Sequence, residues 1–423
     1  MKDFEQALDV GRPPNIKKLF PNSKALLVSG KVIDRALLKK GKAMTIAANA
    51  RNRFVLRGVL KAAQRARAAI IIEIAKSEGG ADAYCAVNMW NLAYYADAIA
   101  NELGVTVPIA IHADHYGIKK QEDIDPARTE IPSIFDAGVT SIAIDASHLQ
   151  DDENLLANLE LNQYIPGWAG LETEVGEIKG AEGLSTPKEA LFLIKGLNAH
   201  GIFPDWIALN NGTTHGIQDS KAGIHVELTK EIHEALKPYG MSGAQHGTSG
   251  NDSARLKRIA AETATTKVNF ATALQMISWG IKVNDYGNAI TDEKGEFIKE
   301  PGKGVSREMW QAMKAYADAR GLKGGNYKKM NLPFENKFLG QPAGIRDRMV
   351  SGVEDFVYFL LTEVFNAGDT APLGIEAILE AGSHEMSPKA QRIEDPDQWT
   401  RDKIIERAKE LSPDKGPAGN YDD

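Results

Sequence analysis

Eight short runs rich in β-branched residues alternate with stretches whose apolar residues recur at helical spacing, and this alternation predicts an α/β fold of the (β/α)8 TIM barrel type. A second observation agrees with it. Histidine, acidic and asparagine residues gather at the ends of the runs, the side on which a barrel assembles its chemistry. The runs are MTIAAN (44–49), AIIIEIA (69–75), VPIAIHAD (107–114), VTSIAIDAS (139–147), GLETEVG (170–176), DWIALNNG (205–212), MSGAQHG (241–247) and TKVNFAT (266–272). Between them, segments such as 52–67, 93–104, 187–201 and 254–264 carry the helical pattern. The alternation does not by itself require closure, and an open doubly wound sheet would share it.

The chain reads as a single domain over 1–423. Residues 1–40 hold a Pro-Pro turn and a Lys-rich helix, expected as an N-terminal helical extension that covers the N-terminal mouth of the barrel. Residues 41–282 form the barrel core with its eight strands. Residues 283–345 are polar and rich in Gly and Lys, and are expected as a long insertion after strand eight, flanked by helical patterns at 306–319 and 344–365. The final barrel helix is expected over 346–367. Residues 368–423 form a C-terminal extension whose tail, SPDKGPAGNYDD, is expected to fray.

Composition narrows the function classes. Apolar content of 43% and charged content of 25% are those of a folded globular protein. A net charge of −7 and a pI near 5.8 argue against nucleic acid as the main partner, so any anion site must be local. The one cysteine, Cys85, cannot close an internal disulfide, and the N-terminus MKDFEQALDV lacks a secretory core; both predict a reducing cytoplasm. No apolar run approaches the roughly 20 residues of a membrane helix, since AAIIIEIA is interrupted by Glu73.

The chemistry lies at the strand ends. Strand three ends in His112-Ala113-Asp114-His115 and strand four in Asp145-Ala146-Ser147-His148; strand five holds Glu172 and Glu174. Strand six runs through Asn210 into Gly212-Thr213-Thr214-His215-Gly216, strand seven ends at His246, and strand eight bears Asn269. Three imidazoles from different strands, with one position left for water or substrate, form the pattern of a catalytic zinc, and His115, His215 and His246 are the best trio. Each histidine taken alone reads more simply as a packed or solvated side chain; together, beside glycines that permit close approach, they favour a metal. His148, His200, His225, His233 and His384 take the ordinary structural reading. The turns Gly212–Gly216 and His246-Gly247-Thr248-Ser249-Gly250 offer backbone N–H groups for a phosphate, though each is also ordinary turn chemistry.

In this order and spacing, His-x-Asp-His, Ile-Asp-x-Ser, Glu-x-Glu-x-Gly, Gly-Thr-x-His-Gly, His-Gly-x-Ser-Gly and Lys-Val-Asn-x-x-Thr resemble the class II fructose-bisphosphate and tagatose-bisphosphate aldolases. The resemblance spans roughly 40–280 and continues more weakly to about 365. It implies a reversible aldol cleavage of a ketose bisphosphate, with fructose 1,6-bisphosphate as the first choice. It also implies a catalytic Zn²⁺ replaceable by another divalent metal, a monovalent cation, and a homodimer or homotetramer. By resemblance, His115, His215 and His246 bind the zinc, and Asp145 and Glu174 hold the metal in an alternative outward position. Asp114 is the acid/base at the C4 hydroxyl, and Glu182, in the loop Gly180-Ala181-Glu182-Gly183, exchanges the C1 proton. Gly216, Gly247, Ser249 and Thr272 bind one phosphate, Asn269 binds the enediolate, and Asn49 and Ser77 touch the sugar backbone. Arg348, or Arg346, stands for the arginine that takes the second phosphate. Fructose-type members carry an aspartate where this chain has Ala271, and tagatose-type members carry alanine, so the epimer stays open.

Three other readings compete. A Schiff-base aldolase needs a desolvated lysine inside the barrel; Lys267, the one lysine in a predicted strand, lies towards the strand start and is expected to face solvent or pair with a helix. A metal hydrolase would place His-x-His on strand one, where MTIAAN has no histidine. A non-catalytic partner subunit would have no use for an intact histidine trio beside Asp114.

Overall fold

The computed structural model of the chain describes residues 2–81, 83–176, 183–212, 223–248, 251–284 and 287–411. Eight parallel strands close into a barrel: β1 (Thr45–Asn49), β2 (Ile70–Ala75), β3 (Ile109–Gly117), β4 (Ser141–Asp145), β5 (Gly170–Val175), β6 (Trp206–Leu209), β7 (Ser242–Gln245) and β8 (Thr265–Phe270). Each pairs with its sequence neighbour, and β1 with β8 through Ala47↔Asn269 completes the ring. The eight runs expected from the sequence are these eight strands. They read as near-continuous apolar segments because barrel strands are covered on both faces, by the interior and by helices. A two-residue strand, Leu27–Val28, adds to the start of β3.

Local chemistry sets the helix ends. Asn52 opens the helix Arg53–Ala66 by accepting from the N–H groups of Phe54 and Val55. Thr186 and Glu189 form a reciprocal capping box ahead of Pro187–Ala199. The helix Ala343–Phe359 continues into a π-helical turn, Leu360–Val364, and closes the outer ring against Arg53–Ala66, where Gly58 leaves room for Val353.

The helix Gly30–Lys40 lies across the N-terminal end of the barrel. Gly30 must be a glycine here, because a Cβ would come 2.5 Å from Ser141 Oγ and 3.0 Å from the Trp206 ring. The fully buried Asp34 accepts from Thr266 Oγ1 at 2.7 Å and pairs with Lys389 at 2.7 Å. Lys389 also donates to the Asp205 carbonyl and to Ser242 Oγ, so the C-terminal extension fastens the same base. The tail expected to fray, 412–423, lies outside the described residues.

The polar stretch after β8 is a small structure with its own core. Antiparallel bridges join Ile281 to Lys299 and Thr291 to Phe297, and the helices Arg307–Ala319 and Asn331–Leu339 pack Trp310, Phe334 and Phe338 against Trp279. Asn331 ties it to the barrel through Gln275 and Asn52.

Candidate active site

At the C-terminal end of the barrel a cavity of ≈ 660 Å³ opens, within the range of small-molecule sites. Asp114, His115, Asp145 and Asn269 line it. Strand β3 delivers the first two through a bulge: its register against β4 shifts between Ala113 and Tyr116, and His115 adopts φ 42°. A histidine in the left-handed region is strained, and a bulge at a strand end re-aims a side chain toward the site.

The two described imidazoles of the trio meet: the rings of His115 and His246 stand edge to face with centroids 4.4 Å apart. His115 Nδ1 lies 3.2 Å from Asp145 Oδ2 and 3.3 Å from Glu174 Oε1, and His246 Nδ1 lies 3.7 Å from Glu174 Oε2. Ligands held tetrahedrally at about 2.0–2.2 Å from one ion are separated by about 3.3–3.6 Å. The spacing around Glu174 therefore fits one divalent cation. Among the described residues Glu174 Oε1 is buried with no well-aligned hydrogen bond, only the 3.3 Å approach of His115 Nδ1, as suits an atom kept for a metal. His246 Nε2 faces Glu172 Oε1 at 2.8 Å; since a carboxylate only accepts, the N–H is at Nε2 and the lone pair at Nδ1, on the side of Glu174.

The potential at the site is strongly negative. Burial opposes charge on His115, but the carboxylates of Glu174, Asp114 and Asp145 override it and raise its pKa well above the usual value. Burial likewise pushes the Asp145 carboxyl up, and the bonds from His115 and Ser147 hold it below the ordinary carboxylate range. For Asp114, burial is outweighed by the neighbouring charges, His115 and Lys267 foremost, which bring its pKa down to about 2. Lys267 answers Glu172, Glu73 and Asp114, and it is the Asp145 and Glu174 carboxyl groups beside the imidazoles that call for a further cation.

Comparison with known proteins decides the family. The family model for class II fructose-bisphosphate aldolase matches residues 31–320. The chain belongs to the class II fructose-bisphosphate aldolase family. It is 26% identical over 239 residues to a fructose-bisphosphate aldolase of Staphylococcus aureus, covering 54% of this chain and 76% of that protein. It is 28% identical to one of Mycoplasma pneumoniae, over 56% and 76% respectively. Among solved structures, the YdjI aldolase of Escherichia coli K12 superposes with a TM-score of 0.53 at 18% identity, over 82% of this chain and all 100% of that one. Fructose-bisphosphate aldolase from Campylobacter jejuni gives 0.52 at 18%, over 82% and 97%. At that identity the superpositions speak for the fold. The protein is thus a class II aldolase, a lyase of a generally metal-dependent family that acts on phosphorylated sugars.

Of the residues expected in this aldolase site, Asn49, Ser77, Asp114, His115 and Asp145 line the cavity. Gly247, Asn269 and Thr272 line it too, while His246 and Glu174 lie buried against it. Arg348 does not line it; it sits beside Lys299, whose pKa burial lowers to about 8 with help from Arg348. His215, Gly216, Glu182 and Ser249 lie outside the described residues. His148, given an ordinary structural reading, lines the cavity. No helix among the described residues is long and apolar enough to cross a membrane.

One expectation is overturned. Lys267 faces neither solvent nor a helix: it is fully buried inside the barrel, 2.9 Å from Glu172, 3.3 Å from Glu73 and 3.6 Å from Asp114. Burial disfavours its charge, and the Glu172, Glu73 and Asp114 carboxylates more than compensate, raising its pKa. A lysine held as ammonium is no imine-forming nucleophile. The strand period gave the signal: Lys267 and Asn269, two apart on β8, share a face, and Asn269 was expected inward. The reading also missed Glu73, which lines the cavity, and gave no role of its own to His112, buried beside it. It missed Arg51, Lys76, Lys119 and Lys328 around the cavity as well, the last from the inserted segment.

Proposed function

We propose that this chain is a zinc-dependent aldolase that reversibly cleaves a ketose bisphosphate, fructose 1,6-bisphosphate, to dihydroxyacetone phosphate and glyceraldehyde 3-phosphate. The observation that carries this reading is the meeting of His115 and His246, from different strands, with Asp145 and Glu174 against a cavity lined by Asp114 and Asn269. Nitrogen and carboxylate donors at this spacing suit Zn²⁺, with His215 as the third imidazole by resemblance. Bound there, the metal would supply Lewis acidity for the enediolate charge left when C3–C4 breaks. Asp114, kept deprotonated, accepts the C4 hydroxyl proton and returns it in the condensation direction. Asn269 donates to the enediolate, and by resemblance Glu182 exchanges the C1 proton.

Gly247 and Thr272, with Gly216 and Ser249 by resemblance, take one phosphate, and Arg51 Nη1 stands 3.3 Å from Thr272 Oγ1 beside them. Asn49 and Ser77 meet the sugar backbone. In place of Arg348, the lysines that line the cavity, Lys76, Lys119 and Lys328, supply positive charge for the second phosphate. A tagatose epimer is the second reading, favoured by Ala271 in the cavity wall. The enzyme would act in the cytoplasm as a homodimer or homotetramer, with a monovalent cation as a further cofactor.

The test is a retro-aldol assay of the full chain on fructose and tagatose bisphosphates and their monophosphates, with and without chelator. The expected result is chelator-sensitive cleavage, fastest with fructose 1,6-bisphosphate. Turnover indifferent to chelation overturns the metal assignment, and no cleavage of any ketose phosphate overturns the reaction.

A further inference from the structure

Lys267 and the Glu172 and Glu73 carboxyl groups it pairs with have no part in the mechanism above. Lys267 Nζ donates to Asn269 Oδ1 at 2.7 Å and sits between the Glu172 and Glu73 carboxylates at 2.9 and 3.3 Å. Asn269 Nδ2 in turn donates to Asp114 Oδ1 at 2.9 Å. Glu172 also holds the ring of His246. Lys267 does not line the cavity, whereas Asn269 and Asp114 do.

We infer that Lys267 is a positioning residue, acting from under the site through the side-chain amide of Asn269. An ammonium can only donate and a carboxylate only accept. The amide between them therefore has a single satisfied orientation: its oxygen towards Lys267, its NH₂ towards Asp114 and the cavity. Without Lys267 the amide oxygen loses its 2.7 Å partner, and the bond to Asp114 alone is left to orient the side chain. The ammonium thus sets where the N–H donor beside the reacting atoms points, and it steadies the carboxylate it faces. Lys267 gathers three carboxyl groups and one amide from β2, β3, β5 and β8, with Glu73 pushed well above its ordinary pKa by burial and by Asp114 and Glu172, so a single buried cation registers the base, the amide and the partner of a metal histidine to one another. This inference rests on the aldolase reading for its kinetic consequence but not for its geometry.

The experiment is a double-mutant cycle on the metal-loaded full chain with Lys267→Met and Asn269→Ala. Lys267→Met should lower kcat about 100-fold, the effect of a misplaced catalytic contact, with KM changed less than about threefold. In the Asn269→Ala background the same change should cost clearly less, the remainder being what Lys267 does directly at Asp114 and Glu172. Equal losses of kcat in both backgrounds overturn the inference. Because Lys267→Met may not fold, Lys267→Arg is the second variant: it keeps the charge, but its planar fork ends elsewhere. It should lose more kcat in the presence of Asn269 than in its absence; full activity of Lys267→Arg shows a charge-neutralising role only and overturns the positioning role. Denaturant unfolding of the same four proteins reads the bond without substrate. Non-additive stabilities are expected, and additive ones refute the coupling. If the unmutated chain cleaves no ketose phosphate, the aldolase reading falls, and the unfolding cycle alone decides this one.

Discussion

Glu172→Gln isolates how the barrel interior tunes the metal site. The Glu172 carboxylate faces His246 Nε2, 2.8 Å from Oε1, and on its other oxygen Lys267 Nζ at 2.9 Å and His112 Nε2 at 3.4 Å. Burial works against its charge, and Lys267 together with His112 and His246 keeps its pKa well below the usual carboxylate range. A glutamine of the same shape has one acceptor oxygen and one NH₂, so only one donor can be satisfied. The ammonium carries the full charge and wins the oxygen, which leaves the amide NH₂ facing His246 Nε2–H. The imidazole is then driven to the tautomer with its proton at Nδ1, on the metal side. Losing such a partner weakens metal binding by about 10–100-fold, equivalent to about 1.4–2.7 kcal/mol. The assay is zinc competition against a chromophoric chelator, on protein whose fold is checked by circular dichroism. Unchanged zinc affinity in a folded Glu172→Gln protein refutes the assigned tautomer.

Other perturbations follow from the same structure. Asp114→Ala should keep zinc yet lower retro-aldol kcat by about 10²–10⁴-fold, as expected for removal of a general base; metal content and turnover measured on one sample decide it. Gly30→Ala pushes a methyl group into Ser141 and Trp206 at the barrel base, which should destabilise the fold by about 1–3 kcal/mol, visible in thermal unfolding. His233, buried in the helix Val226–Leu236, has its pKa lowered by desolvation from 6.5 to about 4. The unfolded chain therefore binds a proton that the folded chain refuses. This group's contribution is fully present above about pH 6.5 and is lost as pH falls towards 4, by at most about 3 kcal/mol. His233→Gln should flatten that part of the stability profile, and an unaltered slope between pH 6.5 and 4 counts against the assignment.

The fold was legible because barrel strands are buried on both faces: β2, IIIEIA, and β3, with IAIHAD, announce themselves by β-branched content and by polar residues that fall only where the interior needs them. The site was legible where chemistry shows as residue type at a strand end, as with Asp114, His115, Asp145 and His246. Reading failed where tertiary context decides. Lys267 was judged by its distance from the strand end, although its side chain is long enough to reach Asn269 and its face was set by the alternation it shares with that residue. Lys328 lines the cavity from a segment whose polar composition showed only as an insertion after strand eight, because the apolar residues that fold it, Trp310, Phe334 and Phe338, are widely spaced in sequence. The clasp of Lys389 on Asp34 and Asp205 joins residues far apart in the chain, and no local pattern encodes it.

The central claim is that one divalent ion, held by imidazoles and carboxylates at the barrel mouth, is required for carbon–carbon cleavage. Titrating metal-free protein with Zn²⁺ while following turnover of fructose 1,6-bisphosphate tests it most directly. The account predicts no turnover without metal and a linear rise that saturates at one zinc per chain. Full turnover by metal-free protein, or zinc uptake with no turnover at any ratio, contradicts it.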